Sequence, residues 1–127
     1  MLGVEHQVDV AVPLARAYRF WTQFEDFPRF MGCVEEVRHL DETHLRWRVR
    51  TDEGTCELEA EVVEARPDER IAWRTTDGAA CSEVVTFHPL DDAVTRVTVS
   101  AQVDDALAEL ARSVEHDLRR SKSLLEG

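Results

Sequence analysis

Seven segments in which apolar and polar residues alternate, followed by one long segment of helical periodicity, most strongly constrain how this chain can fold. A period of two residues indicates strands that bury one face, and a period of about 3.6 residues indicates an amphipathic helix. Short turns separate the strands, so the pattern predicts an α+β fold with an antiparallel sheet on which the helix buries its apolar face. The predicted strands cover residues 4–12, 34–40, 44–50, 55–65, 70–75, 81–88 and 95–103, and the helix covers residues 104–126.

The connection between the first two strands has a different composition. Pro13 ends the first strand and is suited to the first turn of a helix, because its missing N–H group costs nothing there. Residues 14–24 carry an apolar stripe at helical spacing, and residues 24–31 form an aromatic-rich turn or short second helix. We therefore expect two short helices after the first strand.

Two neighbouring strands carry opposite charges on the face that points away from the core. If residues 44–50 pair with residues 55–65, the two charged rows lie opposite each other and help to fix the register. The rows are Arg46, Arg48 and Arg50 on one strand and Glu57, Glu59 and Glu61 on the other.

Length and charge narrow the range of functions. The 127 residues correspond to a single domain covering residues 1–127. A net charge of −11 without a basic cluster argues against binding to nucleic acid. Neither a secretion signal nor an apolar segment long enough to span a membrane is apparent, so the expected location is cytoplasmic.

The three cysteines, Cys33, Cys56 and Cys81, form no Cys-x-x-Cys pair. Neither a disulfide framework nor a structural metal site is expected from them, and no cofactor is predicted. All three are predicted to be free thiols. Cys56 alternates with apolar residues, so it is also expected to be poorly accessible.

Several segments resemble one known superfamily. They are residues 20–31 (FWTQFEDFPRFM), 34–37 (VEEV), 66–73 (RPDERIAW), 86–87 (TF) and 95–99 (TRVTV). Together they resemble the START-like (SRPBCC) superfamily, and specifically its bacterial proteins of the polyketide cyclase/dehydrase type. The resemblance implies a helix-grip fold, in which a curved sheet of six or seven strands wraps around the C-terminal helix. It also implies a cavity between sheet and helix that takes small hydrophobic or aromatic molecules.

The strand and helix patterns predict which residues line this cavity. The expected wall residues are Trp47, Leu58, Trp73, Glu83, Val85, Phe87 and Val99 on the sheet and Leu110 and Val114 on the helix, whose stripe continues to Leu118. For Trp47 and Trp73, a place in the packed core is an equal alternative. Phe27, Phe30 and Met31 are expected at the mouth, with a plug that fixes the short helix as the alternative. His6 and Glu83 are the candidate polar anchors. The alternatives are a hydrogen-bonded His6 at the edge of the core and a Glu83 at the solvent-exposed end of its strand. Glu35 is a third candidate for an inward ionisable group.

The predicted inward faces hold few polar groups, which favours binding of a lipophilic molecule over catalysis. No residue is assigned a catalytic role. Two alternatives stay open: an enzyme of the polyketide cyclase/dehydratase (aromatase) type, and a protein-interaction module that uses the apolar stripe of the last helix. A homodimer is also kept as an alternative.

Overall fold

The computed structural model describes residues 1–127 and contains seven strands, two α-helices and two 3₁₀ helices. All seven predicted strands and the long final helix are confirmed. The strands are β1 (Leu2–Val10), β2 (Val34–His39), β3 (His44–Thr51), β4 (Gly54–Arg66), β5 (Arg70–Asp77), β6 (Cys81–Asp91) and β7 (Val94–Val103). The helices are α1 (Leu14–Trp21) and α2 (Ala108–Glu126), and the 3₁₀ helices are Phe24–Arg29 and Asp105–Leu107.

The strands form one antiparallel sheet in the order β1-β7-β6-β5-β4-β3-β2. Chain neighbours pair with each other except that β1 pairs with β7, where Leu2 lies opposite Val103. Register shifts interrupt β2, β4 and β6, and such bulges bend a strand and increase its twist. The sheet is accordingly curled into a half-barrel, and the predicted α+β helix-grip fold is confirmed.

Helix α2 packs most closely on β1 and β7, which form one side of the sheet. At its C-terminal end, Lys122 Nζ donates a hydrogen bond to the Asp9 carbonyl oxygen at 2.7 Å. The apolar stripe that suggested an interaction module is buried against the chain's own sheet. The buried stripe residues are Leu107, Ala111, Val114, Leu118 and Leu125. Because α2 follows one side of a curved sheet, space is left above the middle strands.

The ends of three predicted helices differ from the structure. The Asp104 side chain accepts a hydrogen bond from the Ala106 N–H at 2.8 Å and stabilises a 3₁₀ turn, so α2 begins only at Ala108. Helix α1 ends at Trp21 instead of residue 24, and the Thr22 hydroxyl donates to the Arg19 carbonyl oxygen at 2.7 Å. The second short helix is a 3₁₀ helix.

The charged rows on β3 and β4 are confirmed in part. Arg46 lies opposite Glu59 with 2.8 Å between Nη2 and the carboxylate, and Arg48 lies opposite Glu57 at 3.5 Å. Arg50 instead lies opposite Thr55 and reaches a carboxylate on β2. These pairs lie on the half-exposed convex face, where ion pairs add little stability but support the register. Neither α-helix is long and apolar enough to span a membrane.

Candidate functional site

A cavity of about 40 Å³ lies between the concave face of the sheet and α2. Thirteen of its sixteen lining residues are hydrophobic, and none is basic. Eight residues predicted from the sequence line it: Met31, Trp47, Leu58, Trp73, Glu83, Val99, Leu110 and Val114. The other eight are Trp21, Val34, Val49, Ala60, Thr75, Cys81, Asp117 and Leu118. The cavity therefore draws its walls from β2–β7, from both helices and from the loop before β2.

Val85 and Phe87 lie outside the cavity wall, which corrects their predicted place. Both are buried in the core. The Phe87 ring packs edge-on against Tyr18 of α1, with 5.5 Å between ring centroids. Helix α1 covers this part of β6, a contact that alternation along the strand does not encode.

Phe27 and Phe30 do not border a mouth either, because they are 0% and 1% exposed. Phe27 contacts Trp47 and Trp73 with centroid separations of 5.7 and 5.6 Å. Trp47 and Trp73 in turn stack at 6.0 Å. Phe27 of the 3₁₀ helix and Phe30 after it thus pack against tryptophans of the cavity wall, in agreement with the alternative of a plug.

The predicted polar anchor His6 lies outside the cavity. Its side chain is 36% exposed, and its Nδ1 atom lies 3.6 Å from a Glu115 carboxylate oxygen on α2. Glu35 also faces away from the cavity, and its carboxylate lies 3.6 Å from Nη1 of Arg50. In this structure, therefore, neither His6 nor Glu35 can contact a molecule inside the cavity.

Glu83 is the predicted anchor that does reach the cavity. It lies on β6 between Trp73 of β5 and Ala101 of β7, and part of its surface remains accessible along the cavity wall. Burial and, to a lesser extent, the negative charge of Asp117 raise the pKa of its carboxyl to about 7, although a hydrogen bond from the adjacent Trp73 indole opposes the shift. A carboxyl with this pKa exchanges its proton near neutral pH.

Asp117 is the ionisable site residue that sequence reasoning missed. It lies on α2 across the cavity from the sheet and is 8% exposed. Its carboxylate oxygens accept hydrogen bonds from the Gly32 N–H at 3.1 Å and from the Ser113 hydroxyl at 3.0 Å. Burial raises the pKa of Asp117 against the effect of these bonds. Asp117 follows Val114 by three residues and therefore lies on the apolar stripe of α2. This spacing is the sequence signal that could have identified it.

Two tryptophans on the wall carry polar atoms without partners. The indole Nε1 atoms of Trp21 and Trp47 are buried and make no hydrogen bond. An unsatisfied buried donor costs about 1–3 kcal/mol. Two residues of the apolar wall therefore carry hydrogen-bond donors that the protein itself does not use.

The cysteines do not form a reactive site. All three are free and half-buried. Burial raises the pKa of the Cys81 thiol on the cavity wall, which keeps it protonated and unreactive. Cys56 is more accessible than predicted, because it lies near the β3–β4 turn and its Sγ atom is directed to the Glu57 carbonyl oxygen.

Sequence comparison finds relatives along most of the chain. A family profile described as "Polyketide cyclase / dehydrase and lipid transport" matches residues 10–121. An uncharacterized 17.2 kDa protein of Streptomyces lincolnensis is 40% identical over 136 aligned positions, which cover 99% of this chain and 91% of that protein.

Solved structures share the fold at lower identity. A START superfamily protein from Mycobacterium smegmatis superposes with a TM-score of 0.84 at 17% identity, covering 98% of this chain and 97% of that one. The Zhui aromatase/cyclase from Streptomyces sp. R1128 superposes with a TM-score of 0.77 at 18% identity, covering 98% and 93%. At such identities the likeness shows a common architecture and no more.

Proposed function

We propose, on the premise that this chain belongs to the polyketide cyclase/dehydrase and lipid transport family, that its cavity binds and carries a small lipophilic or aromatic molecule. The observation that carries the proposal is the cavity itself. It lies between sheet and helix, its wall is almost entirely apolar, and its polar groups are few. Ligand sites typically combine an apolar wall with a small number of polar groups that fix orientation.

The size of the cavity adds a condition to this proposal. At about 40 Å³ it is smaller than the roughly 300–1,000 Å³ of ordinary ligand pockets. Binding must therefore widen it. Met31 and Leu110 are suited to such movement, because both have several rotatable bonds and Leu110 is only partly buried. The ligand-bound protein is expected to hold these side chains in other rotamers.

The test uses the indole N–H resonances of Trp21, Trp47 and Trp73, which together represent every tryptophan in the chain and all line the cavity. Naphthalene is titrated into ¹⁵N-labelled protein and the three indole signals are followed by NMR. We expect all three to shift together with an affinity in the micromolar range, or about −8 kcal/mol.

A matched pair of variants separates the cavity from the surface. Ala60 is buried on the cavity wall, and Ala65 is exposed on the same strand. Ala60→Leu fills the space and should weaken binding at least tenfold, whereas Ala65→Leu should leave it unchanged. Equal affinities in the two variants, with both folded by circular dichroism, would show that the probe binds elsewhere.

Catalysis of the polyketide cyclase/dehydratase type is a second candidate, supported by one observation. The Glu83 carboxyl lies on the cavity wall with a pKa of about 7, which suits a general acid or base. Incubation with a poly-β-keto thioester analogue, followed by mass spectrometry, should then reveal loss of water in the wild type and not in Glu83→Gln. Recovery of the unchanged analogue from both proteins supports the carrier function instead.

A further inference from the structure

We propose that the cavity selects an uncharged lipophilic molecule bearing hydrogen-bond acceptor oxygens, and that binding holds a proton on Glu83. This inference rests on the proposed binding function and specifies its ligand class and its dependence on pH. It is drawn from three polar groups of cavity-lining residues, which are two indole N–H donors without a partner in the protein and the Glu83 carboxyl.

The first two groups are the indole N–H donors of Trp21 and Trp47. Both residues line the cavity, and both Nε1 atoms are buried without a hydrogen-bond partner. An indole N–H donates and cannot accept. A ligand with carbonyl, ether or hydroxyl oxygens would satisfy these donors, whereas a pure hydrocarbon would leave them unpaired.

The third group is the Glu83 carboxyl. The titratable groups around it are Asp117 from α2 and Cys81 from its own strand, while its ladder neighbours Trp73 and Ala101 carry no charge. Since no basic side chain lines the cavity, only the Trp73 indole N–H partly offsets the charge of an ionised Glu83. The protonated carboxyl is a donor, so it adds to the two indoles as a third donor for a ligand oxygen.

Charged ligands fit this wall less well. An anion would meet two carboxyl groups and no cation. A cationic amine could pair with ionised Glu83, but it would offer no acceptor to the indoles. Asp117 already accepts hydrogen bonds at both carboxylate oxygens, from Gly32 and Ser113, and its part is to hold the loop before β2 against α2.

Proton coupling follows from the direction of the hydrogen bond. A ligand oxygen that accepts from Glu83 requires the carboxyl to be protonated. In the free protein that proton is lost around pH 7, so binding at higher pH must first restore it. The affinity should be constant below that pH and should fall by up to about tenfold per pH unit above it.

Four probes with the same ring system test the ligand class. They are naphthalene, 2-acetylnaphthalene as the uncharged acceptor, 2-naphthylmethylamine as the cation and 2-naphthoate as the anion. Dissociation constants are measured from the tryptophan indole signals at pH 6, 7, 8 and 9. We expect the ketone to bind most tightly at pH 6 and to weaken by one to two orders of magnitude by pH 9.

Two variants test the assignment to Glu83. In Glu83→Gln the amide donates at every pH, so the ketone should bind with a pH-independent affinity near that of the wild type at pH 6. Glu57→Gln, on the exposed face of β4, should keep the wild-type pH profile.

The outcomes distinguish this inference from the function on which it rests. If the amine binds most tightly and gains affinity with rising pH, the ligand class is overturned in favour of a cation. If the ketone and naphthalene bind equally at every pH, the inference fails while the binding function stands. If no probe shifts the indole signals at any pH, both fail.

Discussion

The space between the sheet and α2 is filled by aromatic side chains at one end and contains the cavity at the other. We call these the filled end and the open end. At the filled end, Phe27 lies within 5.7 Å of the ring centroids of Trp21, Phe24, Phe30 and Trp47. At the open end the wall includes the small side chains of Ala60, Thr75 and Cys81. One sheet and one helix thus enclose both a packed core and a cavity, and side-chain volume decides which of them forms.

The filled end should carry the largest share of stability. Phe27→Ala removes a fully buried ring and should lower the free energy of unfolding by about 3–5 kcal/mol in a denaturant titration. Leu110→Ala, at the open end, should cost less than half as much, because Leu110 is only partly buried and already borders empty space. Equal losses would contradict the distinction between the two ends.

The open end should instead make stability depend on pH. The pKa of Glu83 is raised from 4.5 to about 7 in the folded state. Between these values the folded protein binds a proton that the unfolded chain has lost, so the free energy of unfolding falls as pH rises. The loss is complete above about pH 7 and amounts to at most about 3 kcal/mol.

Glu83→Gln should remove this contribution. The variant should match the wild type near pH 4 and exceed it near pH 8 in denaturant titrations, since a buried amide has no charge to desolvate. Asp117, whose pKa is also raised, adds a smaller dependence of the same sign in both proteins. Parallel pH profiles of variant and wild type would show that Glu83 is solvated in the folded state.

The charge of Asp117 should have a smaller effect, on the pKa of the Glu83 carboxyl. Asp117→Asn removes the charge that helps to raise the pKa of Glu83 and keeps an oxygen that can accept from the Gly32 N–H. The pKa of Glu83 should therefore fall, but it should stay above 4.5 because burial is the larger cause of its shift. A ¹³C NMR titration of the Glu83 carboxyl measures the change, and an unchanged pKa would mean that the two carboxyls do not interact.

Periodicity predicted the sheet well because each strand buries one face along its whole length. It also placed Glu83 correctly, since this residue alternates with apolar neighbours on β6. It failed for Phe27 in the 3₁₀ helix and for Phe30 directly after it, because a helix of six residues has no period long enough to show which side is buried.

The other errors concern contacts between distant elements. Phe87 lies on the inward face of its strand, as predicted. Tyr18 of α1 covers it there, so Phe87 does not reach the cavity. Asp117 was overlooked because a carboxylate is not expected on an apolar stripe. Its burial depends on the Gly32 N–H, which comes from a loop 85 residues away in the chain. Such partners are fixed only when the whole chain has folded.

The pairing of β1 with β7 determines when the molecule can assemble. Leu2 and Val103 are strand partners although β2–β6 lie between β1 and β7 in the sequence. At roughly 5–20 residues per second, a ribosome needs about 5–20 s to reach β7 after β1 has been made. The nascent β1 waits for that time as an unpaired strand, a species prone to wrong association. The sheet is therefore completed only after β7 has been made, and the cavity is enclosed only after α2 has followed.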